Sequence, residues 1–164
     1  MEGLDILGFE ADRIPHLSQL DSRLQEATGW RVARVPGLLH EKDFFELLSR
    51  RIFPSTVYIR GREELDYTPA PDLFHDIFGH VPMLAVPVFA EFMQAYGEGG
   101  MRAMQLGQLK NLARLYWYTV EFGLVKSPGG LRIFGAGILS SPHESAFSLE
   151  DGSPNRIEFN LERI

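Results

Sequence analysis

The sequence predicts a mostly α-helical domain with a few short β-strands, an α+β arrangement. Three observations carry that prediction. The chain has 164 residues, about the size of one domain. Hydrophobic residues make up 45% of it and charged residues 23%, and its 16 glycines and 10 prolines stay below the share typical of low-complexity chains. Apolar residues recur mainly at helical spacing, and strands do not alternate with helices as a parallel sheet requires. Residues 1–164 are therefore expected to form one domain.

In chain order, a first helix is predicted over 17–27, where Leu17, Leu20, Leu24 and Ala27 share a face and Gly29 follows. Residues 32–35 form a short strand that stops at the Pro36-Gly37 turn. A second helix covers 42–51, with Phe44, Phe45, Leu47 and Leu48 as its apolar stripe and Pro54 as the stop. Residues 55–60 are β-branched and aromatic, hence a strand. Pro69 and Pro71 make a rigid, extended approach to a helix over about 72–79, with Gly79 near its end. Residues 87–96 and 106–125 read as further helices, and 130–137 and 156–161 as short strands.

Sixteen Lys and Arg against 22 Asp and Glu give a net charge of −6. That is the wrong sign for a surface that tracks phosphates, so neither nucleic acid nor an anionic membrane is an expected partner. The chain has no cysteine, which excludes disulfides, thiolate catalysis and iron–sulfur clusters. Any metal must be held by nitrogen and oxygen. The start, Met1-Glu2-Gly3-Leu4-Asp5, is acidic and lacks the order of a signal peptide. No uncharged apolar run approaches the ~18 residues of a membrane span. The longest candidate, 81–90, is interrupted by Pro82 and Pro87. The expected setting is cytoplasmic.

Two stretches carry chemistry. In 71–82, His75 and His80 stand five apart among apolar neighbours. On an ideal α-helix five residues turn through about 140°, so the imidazoles would diverge. They converge only if the helix ends or distorts between them, and Gly79 with Pro82 offers the means. Two satisfied core histidines are the alternative. In 115–125, Glu121 is alone among large apolar and aromatic residues. A buried, unpaired carboxylate is costly, so Glu121 is neutralised, paired with Arg114 or Arg132, or bound to a metal.

Two imidazoles and one carboxylate are the inventory of the 2-His-1-carboxylate triad, which leaves positions open on ferrous iron. Zinc hydrolases use a similar set, but their His-Glu-x-x-His helix is absent, since Phe147 follows His143-Glu144 where the second histidine belongs. The stretch Phe134-Gly135-Ala136-Gly137 lacks the third glycine of a dinucleotide loop. It reads as a small-residue turn that lets backbone approach a ligand, with Ser140 donating a hydrogen bond, or as a plain tight turn.

Five segments in order, TGWRVARVPGLL, YIR, DYTPAPDLFHDIFGHVPML, ARLYWYTVEFGL and FGAGILSSPHES, resemble the pterin-dependent aromatic amino acid hydroxylases. The resemblance runs from about Ile14 to the C-terminus. It implies that family's catalytic-core fold and a monooxygenase that uses Fe(II), a tetrahydropterin and O2 to hydroxylate L-phenylalanine to L-tyrosine. By position it implies His75, His80 and Glu121 as iron ligands and catalytic centre. Arg60, Thr68 and Ser140 would hold the substrate carboxylate, an arginine being able to fork onto it. Pro71, His75, Trp117 and Phe122 would surround the substrate ring. The pterin would stack on Phe44, meet the backbone of Gly37, Leu38 and Leu39, and lie near Ala113 and Tyr116, with Asp76 reaching it through water.

Plainer readings stand beside these. They are core packing for Phe44, Trp117, Phe122 and Tyr116, a solvated strand-end charge for Arg60, and a first-turn acid for Asp76. The family's catalytic domain is longer at both ends, and His143 stands where the family usually has glycine. The expected consequence is metal and pterin binding with slower, less coupled hydroxylation. A silent metal- and pterin-binding core stays open, as does a small zinc hydrolase with Asp76 or Glu144 as base. A monomer or weak homo-oligomer is expected.

Overall fold

The computed structural model describes residues 2–10, 12–66, 68 and 70–163. A short α1 (Glu2–Ile6) precedes α2 (Leu17–Thr28), whose Leu20 and Leu24 are buried as their spacing requires. Asp21 on α2 grips the Arg31 guanidinium with both carboxylate oxygens and also accepts the Val32 N–H at 2.8 Å. That contact fixes where β1 (Arg31–Arg34) leaves the helix.

Beyond it, α3 (Glu41–Ser49) crosses over to β2 (Ile52–Ser55), and the two strands pair in parallel, Arg31 opposite Ile52 and Arg34 opposite Ser55. The expectation of no parallel pairing is thus corrected on a small scale. One strand–helix–strand unit forms, and its four-residue strands are too short to register as an alternating pattern.

The strand expected over 55–60 begins earlier and ends at Ser55. The residues after it stay extended, but carboxylates replace the ladder. The Thr56 N–H donates to Asp76 Oδ2 at 2.7 Å and the Arg60 N–H to Asp72 Oδ2 at 2.8 Å. Between them, the Tyr58 carbonyl accepts the Leu73 N–H at 2.8 Å. Of the two prolines expected to lead into the next helix, Pro69 lies outside the described residues and Pro71 is half-buried. That helix does not stop at Gly79. A π-helical turn, His75–His80, runs on into α4 (Val81–Leu84).

The helix expected over 87–96 extends as α5 (Pro87–Gln105), through Gly97, Gly99 and Gly100. Its buried face, Ala90, Met93, Tyr96, Gly97 and Gly100, continues at helical spacing, and packing there outweighs the low propensity of glycine. The single helix expected over 106–125 is broken. Gly107, at φ +67°, separates α5 from α6 (Leu109–Tyr116). A second π-helical turn, Trp117–Glu121, follows, and then β3 (Leu124–Ser127) hairpins with antiparallel β4 (Gly130–Ile133). The strand expected over 130–137 ends at Ile133 because the Phe134 and Gly135 N–H groups both turn to the Gly123 carbonyl. Two helices complete the fold, α7 (Ala136–Leu139) and α8 (Pro142–Glu150). Residues 156–161 form no strand, and Ile157, Phe159 and Leu161 are exposed.

The core runs beneath both π-helical turns. Ile77, Val81 and Val120, each no more than 1% exposed, anchor them in it alongside Trp30, Phe53, Leu84 and Met93, and the Phe53 ring lies 5.0 Å from that of His80. Each such aliphatic side chain contributes about 1.5–3 kcal/mol when fully buried. No single helix among the described residues is long and apolar enough to cross a membrane.

Candidate metal centre

The histidine helix widens where the sequence asks it to end or distort. In a π-helical turn each N–H reaches back five residues, and the Val81 N–H accordingly bonds the Asp76 carbonyl. Residues five apart then face the same way. His75 Nε2 and His80 Nε2 lie 3.0 Å apart, with their rings at 77°. The second π-helical turn brings Glu121 to them, Oε1 at 3.0 Å from His80 Nε2 and Oε2 at 3.6 Å from His75 Nε2. Two atoms at right angles, each about 2.1 Å from one ion, are about 3.0 Å apart. The three separations therefore fit ligands on one face of a single divalent ion. Among the described residues this is the one group with metal-binding spacing.

His75, His80 and Glu121 are 8%, 3% and 9% exposed. Burial, helped by the adjacent His80, holds the His75 imidazole down to about 4, so its lone pair is available at neutral pH. Burial opposes a charge on His80 too, but the Glu121 carboxylate outweighs it and raises His80 above its ordinary value. For Glu121 burial pushes upward, and His80 outweighs it to give a lowered carboxyl. His80 and Glu121 thus each favour the other's charged form.

His75 Nδ1 lies 2.9 Å from Ser140 Oγ, the kind of bond that fixes the ring and tautomer of a ligating histidine. His80 Nδ1 and Tyr116 Oη are enclosed with no partner among the described residues. A Cβ on Gly135 would stand 2.1 Å from the Glu121 carbonyl oxygen, and one on Gly79 would stand 2.8 Å from Ala136 Cβ. The Gly135-Ala136-Gly137 stretch thus brings α7 against both π-helical turns, and its close approach is to Glu121.

Arg60 is no solvated charge. Its side chain is 5% exposed and that of Asp72 0%, and the two form a double hydrogen bond at 3.0 Å from Nε and 2.7 Å from Nη2. Nη1 donates to the Ser140 carbonyl at 2.9 Å, and the guanidinium lies 5.3 Å from the Phe74 ring centre. Of its five N–H groups, two remain for a ligand. Burial pushes the Asp72 carboxyl up, but Arg60 and the backbone N–H groups of His75 and Arg60 outweigh this and hold it below the usual range.

Thr68 is half-buried, and its hydroxyl donates to the Ala70 carbonyl at 2.9 Å. Trp117 and Phe122 pack ring to ring at 4.9 Å yet are 57% and 38% exposed, so they are not core. Phe44 meets Tyr116 edge-on at 5.2 Å, and the Tyr116 ring lies near-parallel to His80 at 6.2 Å. Ala113 sits one helical turn before Tyr116. Gly37, Leu38 and Leu39 form the connection from β1 to α3, with Leu38 exposed. Asp76 is buried, which raises its carboxyl to about 6, and Thr56 holds its Oδ2 through N–H and hydroxyl at 2.7 and 2.8 Å. Sequence reasoning missed Asp72 and Thr56. Asp72 carried a usable signal, an aspartate at the N-cap of the helix after Pro71. Thr56 carried none, since its partner stands 20 residues away.

The arrangement has close counterparts. The phenylalanine-4-hydroxylase of Caulobacter vibrioides is 58% identical over 164 residues, covering 100% of this chain and 56% of the relative. That of Chromobacterium violaceum is 55% identical over 164 residues, covering 100% of this chain and 55% of the relative. The crystal structure of the latter enzyme with iron and phenylalanine bound matches with a TM-score of 0.89 at 52% identity, over 99% of this chain and 58% of that one. Its cobalt-bound structure matches with a TM-score of 0.92 at 54% identity, over 99% and 58%. The chain spans a little more than half the length of these relatives. The family model for biopterin-dependent aromatic amino acid hydroxylases matches residues 4–164, the stretch that holds both π-helical turns and every motif of the sequence resemblance, and the chain belongs to that family.

Proposed function

We propose that this chain is an Fe(II)- and tetrahydropterin-dependent monooxygenase that hydroxylates L-phenylalanine to L-tyrosine with O2. The observation that carries the reading is the convergence of His75 Nε2, His80 Nε2 and the Glu121 carboxylate. The donor set fits ferrous iron, with nitrogen and carboxylate ligands on one face and the other face left for exogenous ligands. Bound iron and reduced pterin together supply the oxygen activation that no side chain can. The chain's own residues bind, orient and exclude water.

In this reading Arg60 offers its two remaining N–H groups to the amino acid carboxylate, held in place by Asp72. If His75 Nδ1–H donates to Ser140, the Ser140 hydroxyl can turn from its long 3.5 Å bond to the Gly137 carbonyl to join them, and Thr68 joins by releasing the Ala70 carbonyl. Pro71, Trp117 and Phe122 flank the substrate ring. Phe44 supplies a stacking face for the pterin, next to Tyr116, Ala113 and the Gly37–Leu39 backbone, and Asp76 supplies an acceptor. The whole chain acts as one catalytic domain, cytoplasmic and monomeric or weakly self-associating.

The test is tyrosine formation from phenylalanine under air with Fe(II) and a tetrahydropterin. Tyrosine formed only when all three are present is the expected result. Iron-loaded protein that neither forms tyrosine nor oxidises the pterin overturns the reading. Family membership weighs against the hydrolase that the residues alone left open, and metal analysis separates iron from zinc.

A further inference from the structure

The extended segment after β2 is fastened to the histidine helix by two carboxylates. Asp72 takes Arg60, which has a use at the amino acid carboxylate. Asp76 takes Thr56, and for that contact the fold alone offers no need. A carboxylate buried to 4% exposure is a costly way to satisfy one N–H and one hydroxyl, which a neutral amide would satisfy as well. The hydrogen-bond pattern suggests what the acid is for. Both Thr56 donors fall on the same oxygen, Oδ2, at 2.7 and 2.8 Å. Oδ1 accepts nothing from the described residues, yet it is not among their enclosed, unpartnered atoms, so it keeps some access to solvent. A carboxylate turns freely about its last bond, and two donors on one oxygen stop that rotation.

We propose that Thr56 is a positioning residue for the pterin subsite. It pins Oδ2 of Asp76 and so presents Oδ1 as a fixed acceptor for the N–H edge of a reduced pterin, directly or through one water. The inference rests on the pterin reading above. It gives Thr56 a role that does not involve touching the ligand. A preorganised acceptor binds more tightly than a rotating one because the ordering is done before the ligand arrives.

The test uses the iron-loaded full chain and a redox-inert probe, a 7,8-dihydropterin, titrated by calorimetry. Phenylalanine affinity and iron content are measured on the same samples. Thr56→Val keeps the N–H and the shape and loses the hydroxyl, and Thr56→Ser keeps both donors. The expected result is dihydropterin binding weakened about fivefold in Thr56→Val, the size of one lost hydrogen bond. Phenylalanine affinity and iron content stay within about twofold, and Thr56→Ser restores the wild-type value. In an Asp76→Ala background Thr56→Val has no further effect, because Thr56 then has nothing to position. Unchanged dihydropterin affinity in Thr56→Val overturns the inference. So does equal loss of both organic ligands, and so does a full fivefold loss in the Asp76→Ala background. Wild-type protein that binds no dihydropterin overturns the pterin reading itself, a result distinguishable from the others. If Thr56→Val folds poorly, Thr56→Ala, which also loses the hydroxyl and keeps the N–H, takes its place in both backgrounds with the same expected and overturning results.

Discussion

Replacing Asp72 with asparagine tests whether charge, as well as shape, sets the Arg60 guanidinium. The substitution keeps the volume of a side chain with no exposed surface. The carboxylate accepts four hydrogen bonds, two on Oδ2 from the Arg60 N–H and Nε, and two on Oδ1 from Nη2 and the His75 N–H. An asparagine has one acceptor oxygen, so whichever way it turns, its amino group faces two donors. The Arg60 guanidinium keeps one of its two bonds to residue 72, with the Ser140 carbonyl and the Phe74 ring. Removing one partner of a buried ion pair costs about 3–5 kcal/mol. Half the hydrogen bonds survive, which puts the asparagine at about 3 kcal/mol and the melting temperature about 6–12 °C lower. The assay is urea unfolding at pH 7, followed by the fluorescence of fully buried Trp30.

The acid side has a definite sign. The folded Asp72 carboxyl lies below its usual range, so its charge contributes stability above the unfolded value of about 4. That contribution is lost as pH falls through the lower folded value. The gap between wild type and variant is therefore constant from pH 7 to about 5 and narrows below about 4. A variant within about 0.5 kcal/mol of wild type at pH 7 refutes the reasoning. A gap that does not narrow in acid refutes it equally.

Three further outcomes are expected. Gly135→Ala drives a Cβ to within 2.1 Å of the Glu121 carbonyl, so iron retention after dialysis falls at least about tenfold while far-ultraviolet circular dichroism stays close to wild type. Iron at one per chain in that variant sinks the assignment of the glycine stretch. Glu121→Gln preserves shape but removes the charge that offsets the ion and pairs with His80, and metal analysis should show bound iron well below one per chain. Phe44→Ala should weaken dihydropterin binding and spare phenylalanine, whereas Arg60→Lys should do the reverse, because a point charge cannot reproduce the fork. If both variants move the same dissociation constant, the two organic ligands do not have separate sites.

Helix registers were legible where the information is local. The spacing of Leu17, Leu20 and Leu24 with Gly29 behind them marks α2 to within a residue, because stripe and stop lie in the same stretch. Elements settled by distant partners were not. Residues 55–60 have every mark of a strand and are extended, but Asp72 and Asp76 claim their donors, so no ladder forms. Glycines at 97, 99 and 100 argue against helix, and packing overrides them. Helix α8 is a different kind of miss. Ser141 accepts the Glu144 N–H at 3.2 Å and Pro142 opens the helix, a local capping pattern that was present and went unread.

At the site, the five-residue spacing of His75 and His80 was itself the clue, because it suits neither an α-helix nor a strand. Pro82 explains why the helix widens. Inside an α-helix its ring would press on the carbonyl four residues back, and it has no N–H to give in any register. A wider turn ahead of it relieves the clash and removes no bond that Pro82 had made. Ile77 and Val81, packed into the core, keep the chain helical through the distortion. No proline announces the second π-helical turn, and Glu121 was legible for another reason. A carboxylate among aromatic residues is costly wherever it lies, and that cost can be read before its partner is known. Thr56 and Asp72 are the converse. A threonine in a β-like run and an aspartate before a helix are ordinary in their own neighbourhoods. Each becomes specific only through the group that stands across from it, and those groups, Asp76 and Arg60, lie 20 and 12 residues away along the chain.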